Sequence, residues 1–149
     1  WQILIISIWK NSLEIIPKKL KIICFFGLIF FLFQIILGTQ VRQIVDQWID
    51  YNLREELRLI DFNLFLSHRS LALFLVIYSF IIGGFMVLKK IYLIEIYLFF
   101  FCVLLEAVVG KILADYNLPI FFQPMHLILA MICFGCLAGV LVNYKTDSN

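Results

Sequence analysis

Four long runs of apolar residues limit the folds open to this chain more than any other feature. They cover about residues 20–41, 64–88, 91–113 and 123–142, and each is close to the roughly 20 residues that a helix needs to cross the hydrocarbon core of a bilayer. Hydrophobic residues make up 64% of the 149 residues and charged residues only 15%, whereas soluble domains hold about half and about a quarter. The sequence therefore predicts an all-α integral membrane protein.

The connections between the runs are short or polar. A polar stretch at 46–63 follows the first run, the pair Lys89-Lys90 leaves room only for a tight turn, and a short segment with Pro119 precedes the fourth run. Short links place consecutive helices side by side and in opposite directions. We therefore expect one domain, residues 17–149, folded as an antiparallel four-helix transmembrane bundle.

The N-terminal segment differs from the rest. Its apolar run, residues 1–9, is too short to cross a bilayer, and it lacks the leading charges and the cleavage site of a signal peptide. We interpret residues 1–16 as the end of a preceding span and a cytoplasmic linker. This interpretation predicts that the chain is a piece of a longer protein.

Basic residues are distributed unevenly between the two sides of the predicted bundle. Cytoplasmic segments of membrane proteins carry an excess of Lys and Arg. The side with more basic residues is therefore expected on the cytoplasmic side of a bacterial inner membrane, and the other side is expected to face the periplasm. The net charge of +2 is too small to favour nucleic acid, and membrane lipid is the expected partner. The cytoplasmic group is Lys10, Lys18, Lys19, Lys21, Lys89, Lys90 and Lys145, and the outer group is Arg42, Arg54, Arg58, Arg69 and Lys111.

A weak internal repeat relates the two halves of the chain. The first and third runs each carry a polar residue four positions before a glycine, and the second and fourth runs each begin near a histidine. Two hairpins of one plan form a pseudo-twofold pair. The residues concerned are Gln34, Gly38 and His68 in the first hairpin, and Glu106, Gly110 and His126 in the second.

The only two histidines of the chain, His68 and His126, come out at equal depth near the outer side. On diagonal helices they can face each other across a slot, with Gly38 and Gly110 removing bulk where a flat ligand would lie. This arrangement suits a porphyrin iron with two axial nitrogens, and the absence of a CxxCH motif predicts noncovalent binding. The alternatives are a hydrogen-bonded boundary histidine and ordinary close helix packing at glycine.

Several charged residues accompany the histidines. Arg69, with Arg42 and Lys111, can pair with haem propionates, or can extend its side chain to the membrane interface. Glu106 lies about two turns inside its span, where an ionisable group is costly, so it is a candidate for proton transfer near the haem. Its alternative role is a protonated carboxyl bonded to a neighbouring helix, for example at Gln34.

The remaining ionisable groups point to no further site. Glu95 is expected at the inner interface. The four cysteines lie within apolar runs, so we expect no disulfide framework, and the CxxC spacing of the last two is a weak indication of zinc or redox chemistry on a lipid-embedded helix. They are Cys24, Cys102, Cys133 and Cys136.

Three motifs resemble the heme A synthases over about residues 17–142. They are Q-x-x-L-G-x-x-V-R at 34–42, the pair His68-Arg69, and Q-P-x-H-L at 123–127. The resemblance implies two tandem four-helix halves, an oxidation of the heme O methyl to the formyl of heme A for cytochrome oxidase, and a haem b held in the C-terminal half. It also implies that His68 and His126 are the axial ligands of haem iron.

The resemblance further implies which half is present. N-terminal halves of the family carry a Glu three residues before the first histidine, where this chain has Phe65, and no acid lies between Asp61 and His68. The paired loop cysteines of bacterial N-terminal halves are also missing. The chain is therefore similar to the C-terminal, haem b half, with the catalytic half expected upstream.

Three hypotheses follow. The chain is a heme A synthase or its C-terminal half, with heme O, the N-terminal half and cytochrome oxidase assembly as partners. Alternatively it is a bis-histidine cytochrome b subunit that transfers electrons in a respiratory complex without catalysis, or a haem-free membrane assembly subunit. The repeat favours the two haem hypotheses, and the resemblance favours the enzyme.

Overall fold

The computed structural model describes residues 15–51, 62–115 and 121–146 of the chain. Three predictions concern residues outside these ranges. They are the preceding span in residues 1–14, most of the polar loop, and the segment with Pro119. The described part contains helices α1 (Lys18–Tyr51), α2 (Phe62–Lys89), α3 (Ile94–Asp115) and α4 (Phe122–Asn143), and strands β1 (Ile15–Ile16) and β2 (Lys145–Thr146).

All four helices are long and apolar enough to cross a membrane, over Lys18–Asp46, Asn63–Lys89, Ile94–Asp115 and Phe122–Asn143. The prediction of four such helices is confirmed. The main difference is at α1, which continues to Tyr51 through the start of the predicted polar loop. Its last ten residues contain no Gly or Pro, so the backbone can continue its own hydrogen bonding where the apolar sequence has ended.

The helices form a closed ring of contacts, in which α1 and α3 each pack against both α2 and α4. Residues late in α1 face residues early in α2, since Gly38 lies against His68. Residues early in α1 face residues late in α2, since the Tyr78 hydroxyl donates to the Ile23 carbonyl at 2.6 Å. The residues of the second hairpin face each other in the same way.

In that hairpin, Gly110 near the end of α3 lies against His126 near the start of α4. At the opposite end, Glu95 in the first turn of α3 contacts Tyr144 just after α4. The described residues therefore have two distinct ends. We call the end with both histidines the histidine end, and the end with Lys18, Lys19, Lys21, Lys89, Lys90 and Lys145 the lysine end.

The interior is packed with large apolar side chains from all four helices. Phe31 of α1 and Phe99 of α3 meet edge to face across the bundle, with ring centroids 6.1 Å apart, and both are almost fully buried. Large apolar residues also cover the outside, where Phe33 is 57% and Leu73 63% exposed. Because both surfaces are apolar, close packing rather than hydrophobic contrast must select the inward face of each helix.

The turn between α2 and α3 has a defined geometry. Ile91 N–H donates to Met86 O at 3.0 Å and Lys90 N–H to Val87 O at 3.2 Å, which is the hydrogen-bond pattern of a Schellman helix end. Lys90 takes the left-handed conformation that this motif requires, with φ of 53°. This motif ends α2 sharply and lets α3 return along it.

The lysine end is closed by contacts between the two termini of the described chain. Ile15 and Ile16 pair in parallel with Lys145 and Thr146. Nearby, the Lys21 ammonium donates to the Tyr144 carbonyl at 2.9 Å. These contacts hold the segment after α4 against the start of α1.

Glu95 is buried beneath this closure. Only 4% of it is exposed, and the Tyr144 hydroxyl lies 3.0 Å from each of its carboxylate oxygens. The sequence predicts only that Glu95 lies at the inner interface. The structure adds a protein partner, which the sequence did not indicate because the partner lies 49 residues away.

Candidate functional site

A layer of polar and glycine residues crosses the interior at the histidine end, among otherwise apolar helices. Each hairpin contributes one histidine, one glycine and one longer polar side chain, in agreement with the repeat. Contacts of Gly38 with His68, of Gly110 with His126 and of the two histidines with each other show that the four helices bring these residues to one level. We call this set the histidine layer, and it comprises Gln34, Gly38, His68, Glu106, Gly110 and His126.

The two glycines make room for the histidines themselves. A Cβ atom built on Gly38 would lie 3.1 Å from Cε1 of His68, and one built on Gly110 would lie 3.3 Å from Cε1 of His126. The sequence predicts that these glycines make space for a flat ligand. In the structure each instead lets the imidazole of its own hairpin lie directly against the helix backbone.

The two imidazoles face each other across the bundle. They come from α2 and α4, which are diagonal in the ring of helices, and their centroids are 6.5 Å apart with ring planes at 76°. The predicted approach of His68 and His126 from diagonal helices is therefore present in the structure.

Each histidine has one polar neighbour from the outgoing helix of its own hairpin. Gln34 Nε2 lies 3.5 Å from His68 Nε2, and Glu106 Oε1 lies 3.2 Å from His126 Nδ1. A spacing of four residues puts Gln34 and Gly38, or Glu106 and Gly110, on the same helix face. The alternative pairing of Glu106 with Gln34 is not formed.

Gln34 is the site residue that sequence reasoning left out. The repeat placed it at the position of Glu106, but the predicted haem site included only the histidines, glycines and charged groups. In the structure Gln34 is buried and contacts His68 as Glu106 contacts His126. Its equivalence to Glu106 in the repeat was the feature that pointed to this role.

The histidine layer contains unmet hydrogen-bonding capacity. In the described part of the chain, four buried side-chain atoms have no hydrogen-bond partner, and each of the four helices contributes one of them. The Glu106–His126 pair lies within ion-pair distance, but its alignment falls short of a hydrogen bond. Because buried polar groups normally have partners, such a concentration calls for an explanation. The atoms are Gln34 Oε1, His68 Nδ1, Glu106 Oε2 and His126 Nδ1.

The predicted propionate partners lie at the same end but outside the layer. Arg42 pairs with Asp46, with a shortest contact of 2.7 Å, and Lys111 pairs with Asp115 at 2.9 Å, each one helical turn further along its own helix. Arg69 is exposed, and no described carboxylate forms an ion pair with it. The structure brings none of these three cations into contact with an imidazole ring.

The cysteines form no site of their own. All four are free and buried. Among the residues that the structure describes, no group of three or more His, Cys, Asp or Glu side chains could hold a metal ion.

Comparisons of the chain with protein-family models, with curated proteins and with solved structures give no match. The fold and the site therefore define a class only. The described part of the chain has four helices long and apolar enough to span a membrane, with a partly buried layer containing two histidines between them.

Proposed function

We propose that the chain binds a b-type haem noncovalently between His68 and His126, as the haem-carrying unit of a heme A synthase. The observation that carries the haem proposal is the facing pair of imidazoles, surrounded by buried polar atoms without partners. The synthase assignment rests on the sequence motifs around Gln34, His68 and His126.

The separation of the rings fits one iron between two axial ligands. Imidazole nitrogen binds transition metals at about 2 Å, and each ring nitrogen is about 1 Å from its centroid, so two rings on one metal have centroids about 6 Å apart. The 6.5 Å between the His68 and His126 centroids agrees with this distance. The 76° angle is compatible because two ring planes can share an axis at any angle.

The number of protein ligands favours a macrocycle over a bare ion. The histidine layer offers two imidazoles, and the described residues contain no cluster of three or more metal-binding side chains. A porphyrin supplies four nitrogens of its own and needs only two axial ligands from the protein. The two histidines are sufficient for haem and insufficient for an isolated zinc ion, which takes three or four protein ligands.

The surrounding residues have supporting roles in this proposal. Gln34 and Glu106 orient the imidazoles, since a ligand histidine normally uses its second nitrogen for a hydrogen bond. Gly38 and Gly110 allow the rings to lie against the helices. Arg69, together with Arg42 and Lys111, provides positive charge at this end for the propionates.

The proposal places the chain in a bacterial inner membrane as an antiparallel bundle, with the histidine end toward the periplasm. In each hairpin, residues late in one helix contact residues early in the next, which supports opposite directions of consecutive helices. Six lysines at the lysine end support a cytoplasmic location for that end. The partners of such a unit are lipid, haem, heme O, a preceding half and cytochrome oxidase assembly proteins.

A bound haem would supply one-electron redox chemistry at its iron. In a heme A synthase this unit would relay electrons during oxidation of the heme O methyl group, while Glu106 is a candidate for proton transfer beside it. A bis-histidine cytochrome b without catalysis is the second candidate. It is favoured by the two facing imidazoles, because they would occupy both axial positions of the iron.

The haem proposal is tested on the full chain purified in detergent after expression with haem supply. We expect a b-type band in the reduced-minus-oxidised spectrum that disappears in the double variant His68→Ala/His126→Ala. Glu95→Gln, a buried carboxyl change at the lysine end, should leave the band unchanged. A wild-type protein without the band, or a double variant that keeps it, would refute the proposal.

The enzymatic proposal needs a separate readout. The gene encoding this chain in full is expressed in a host that produces heme O and lacks its own heme A synthase, and the haems are extracted. Hydroxylated or formylated heme O supports the synthase. A b-type spectrum without either product favours the cytochrome b.

A further inference from the structure

The lysine end carries positive charge that the described residues do not neutralise. Five of its six lysines are exposed, and none of the five forms an ion pair with a described carboxylate. The carboxylate described at this end, Glu95, is 4% exposed and already bonded to the Tyr144 hydroxyl. The exposed lysines are Lys18, Lys19, Lys89, Lys90 and Lys145.

The neighbouring sequence does not restore the balance of charge. Glu14 and Asp147 add two acidic residues directly beside the described strands in the sequence, and Lys10 adds a further basic one. At the histidine end, by contrast, Arg42 and Lys111 each pair with an aspartate one turn away. The lysine end therefore has an excess of cations that an anionic partner complements.

Lys90 has a backbone conformation that favours another residue type. It takes the left-handed position of the turn between α2 and α3 with φ of 53°, and it is the only non-glycine residue with positive φ in the described part of the chain. Glycine is the usual residue there, because a Cβ atom makes this conformation unfavourable. A lysine at this position costs stability, which is explained if its charge binds a ligand.

The neighbours of the two lysines in this turn are exposed apolar and aromatic side chains. Leu88 is 84%, Val87 67% and Tyr92 73% exposed. Apolar side chains on the outside of a membrane helix face acyl chains, and tyrosine prefers the level of the lipid headgroups. The turn thus combines two ammonium groups with apolar surface, which fits an anionic lipid better than a free anion.

Resting on the membrane placement in the proposed function, we propose that the turn between α2 and α3 binds an anionic phospholipid. Lys89 and Lys90 contact its phosphate, while Val87, Leu88 and Tyr92 lie along its apolar part. Clusters of basic residues on the cytoplasmic side of a membrane protein attract such lipids. The other three exposed lysines of this end strengthen the positive potential around the turn.

The first test follows thermal unfolding of the full chain in a neutral detergent to which lipid is added. A ligand that binds only the folded protein raises the unfolding temperature. We expect phosphatidylglycerol to raise it more than phosphatidylcholine, with a difference that shrinks at high salt. Inorganic phosphate should give no shift, because it lacks acyl chains. Equal shifts with the two lipids, or an equal shift with phosphate, would overturn the proposal.

The double variant Lys89→Gln/Lys90→Asn tests the turn itself. Asparagine tolerates the left-handed conformation, so both charges are removed while the turn is kept. We expect most of the difference between the two lipids to be lost. The matched control Lys18→Gln/Lys19→Gln removes two charges elsewhere at the same end and should lose less. Equal losses in the two variants would show that the turn is no specific site.

The variant Lys90→Gly separates lipid binding from stabilisation of the helix end. Glycine relieves the left-handed residue, so this variant should unfold at a higher temperature than wild type in neutral detergent and yet gain less from phosphatidylglycerol. A variant that unfolds at a lower temperature and keeps the full lipid response contradicts the proposal, because Lys90 would then act only on the carbonyls that end α2.

The haem spectrum of the same samples distinguishes this proposal from the proposed function. A protein with the b-type band and no preference for phosphatidylglycerol refutes the lipid site alone. A protein without the band that keeps the preference refutes haem binding and supports the lipid site.

Discussion

The two ends of the molecule each contain a glutamate on α3, buried in the case of Glu95 and partly buried in the case of Glu106, and the two glutamates have different surroundings. At the lysine end, Glu95 lies within 3.0 Å of the Tyr144 hydroxyl through both oxygens. At the histidine end, Glu106 lies 3.2 Å from His126 and keeps one buried oxygen without a partner. The glutamates are eleven residues apart, so they lie on nearly the same face of the helix.

This difference separates a polar group with a protein hydrogen-bond partner from one with unmet hydrogen-bonding capacity. A buried polar group with a partner stabilises a unique packing, whereas an unpartnered one is destabilising unless a ligand binds it. Elsewhere in the described interior, Tyr78 and Ser79 donate to backbone carbonyls at 2.6 and 2.7 Å. The unpartnered atoms are confined to the histidine layer, and this confinement points to a ligand there.

The largest expected loss of stability comes from adding a side chain at Gly38, a glycine of the histidine layer. Gly38→Val places side-chain atoms against His68, whose Cε1 is already 3.1 Å from a Cβ at this position. Overpacking of this kind costs about 1–3 kcal/mol, and we also expect loss of the b-type spectrum. The checks are thermal unfolding in detergent and haem content.

Gly83→Val is the matched control for this change. No atom lies within 4 Å of a Cβ built on Gly83, and its helix also begins in the histidine layer. We expect a change in stability of less than about 1 kcal/mol, because valine is a better helix former than glycine. Equal losses at positions 38 and 83 would show that the Gly38–His68 contact is unimportant.

The next effect concerns the lysine end. Tyr144→Phe removes the hydroxyl that donates to Glu95 and leaves a buried carboxylate without that donor. We expect a loss of about 1–3 kcal/mol in the free energy of unfolding with no change in the haem spectrum. A spectral change without a loss of stability would reverse the roles assigned to the two ends.

At the histidine end, a substitution is expected to raise the stability of the ligand-free protein rather than lower it. Glu106→Leu replaces an incompletely bonded polar side chain with an apolar one of similar size, which should raise stability by about 1 kcal/mol. The same variant should lose haem faster than wild type. Unfolding followed with and without haem separates the two effects, and destabilisation of the ligand-free form would show that Glu106 is structural.

The sequence predicts the helices better than it predicts their contacts. Apolar runs placed the ends of α2 and α4 within two residues of Phe62–Lys89 and Phe122–Asn143, because bilayer thickness constrains their length. The sequence missed the extension of α1 to Tyr51, since a helix can continue where the apolar run ends. It also missed the start of α3, which was expected at Ile91 and lies at Ile94, after the Schellman turn.

Within the site, the repeat identified the two histidines and glycines, but not the contacts between them. The distance between the His68 and His126 rings depends on the packing of all four helices. The Glu95–Tyr144 contact joins residues far apart in the chain, and neither residue type is unusual at a membrane interface. Such pairings have no local pattern, so only a three-dimensional structure can supply them.

The smallest effects are expected from the three cations at the histidine end. Arg42 and Lys111 already pair with an aspartate one turn away, and these exposed pairs are worth about 0.3–0.5 kcal/mol each. Arg69 has no ion-pair partner among the described carboxylates, so its charge is available to a propionate. Arg69→Gln should therefore speed haem loss about twofold to fivefold, more than Arg42→Gln or Lys111→Gln. Haem transfer rates measured at low and high salt check this order, because an exposed propionate contact weakens with ionic strength. Faster loss from Arg42→Gln than from Arg69→Gln would instead indicate that haem binding breaks the Arg42–Asp46 pair.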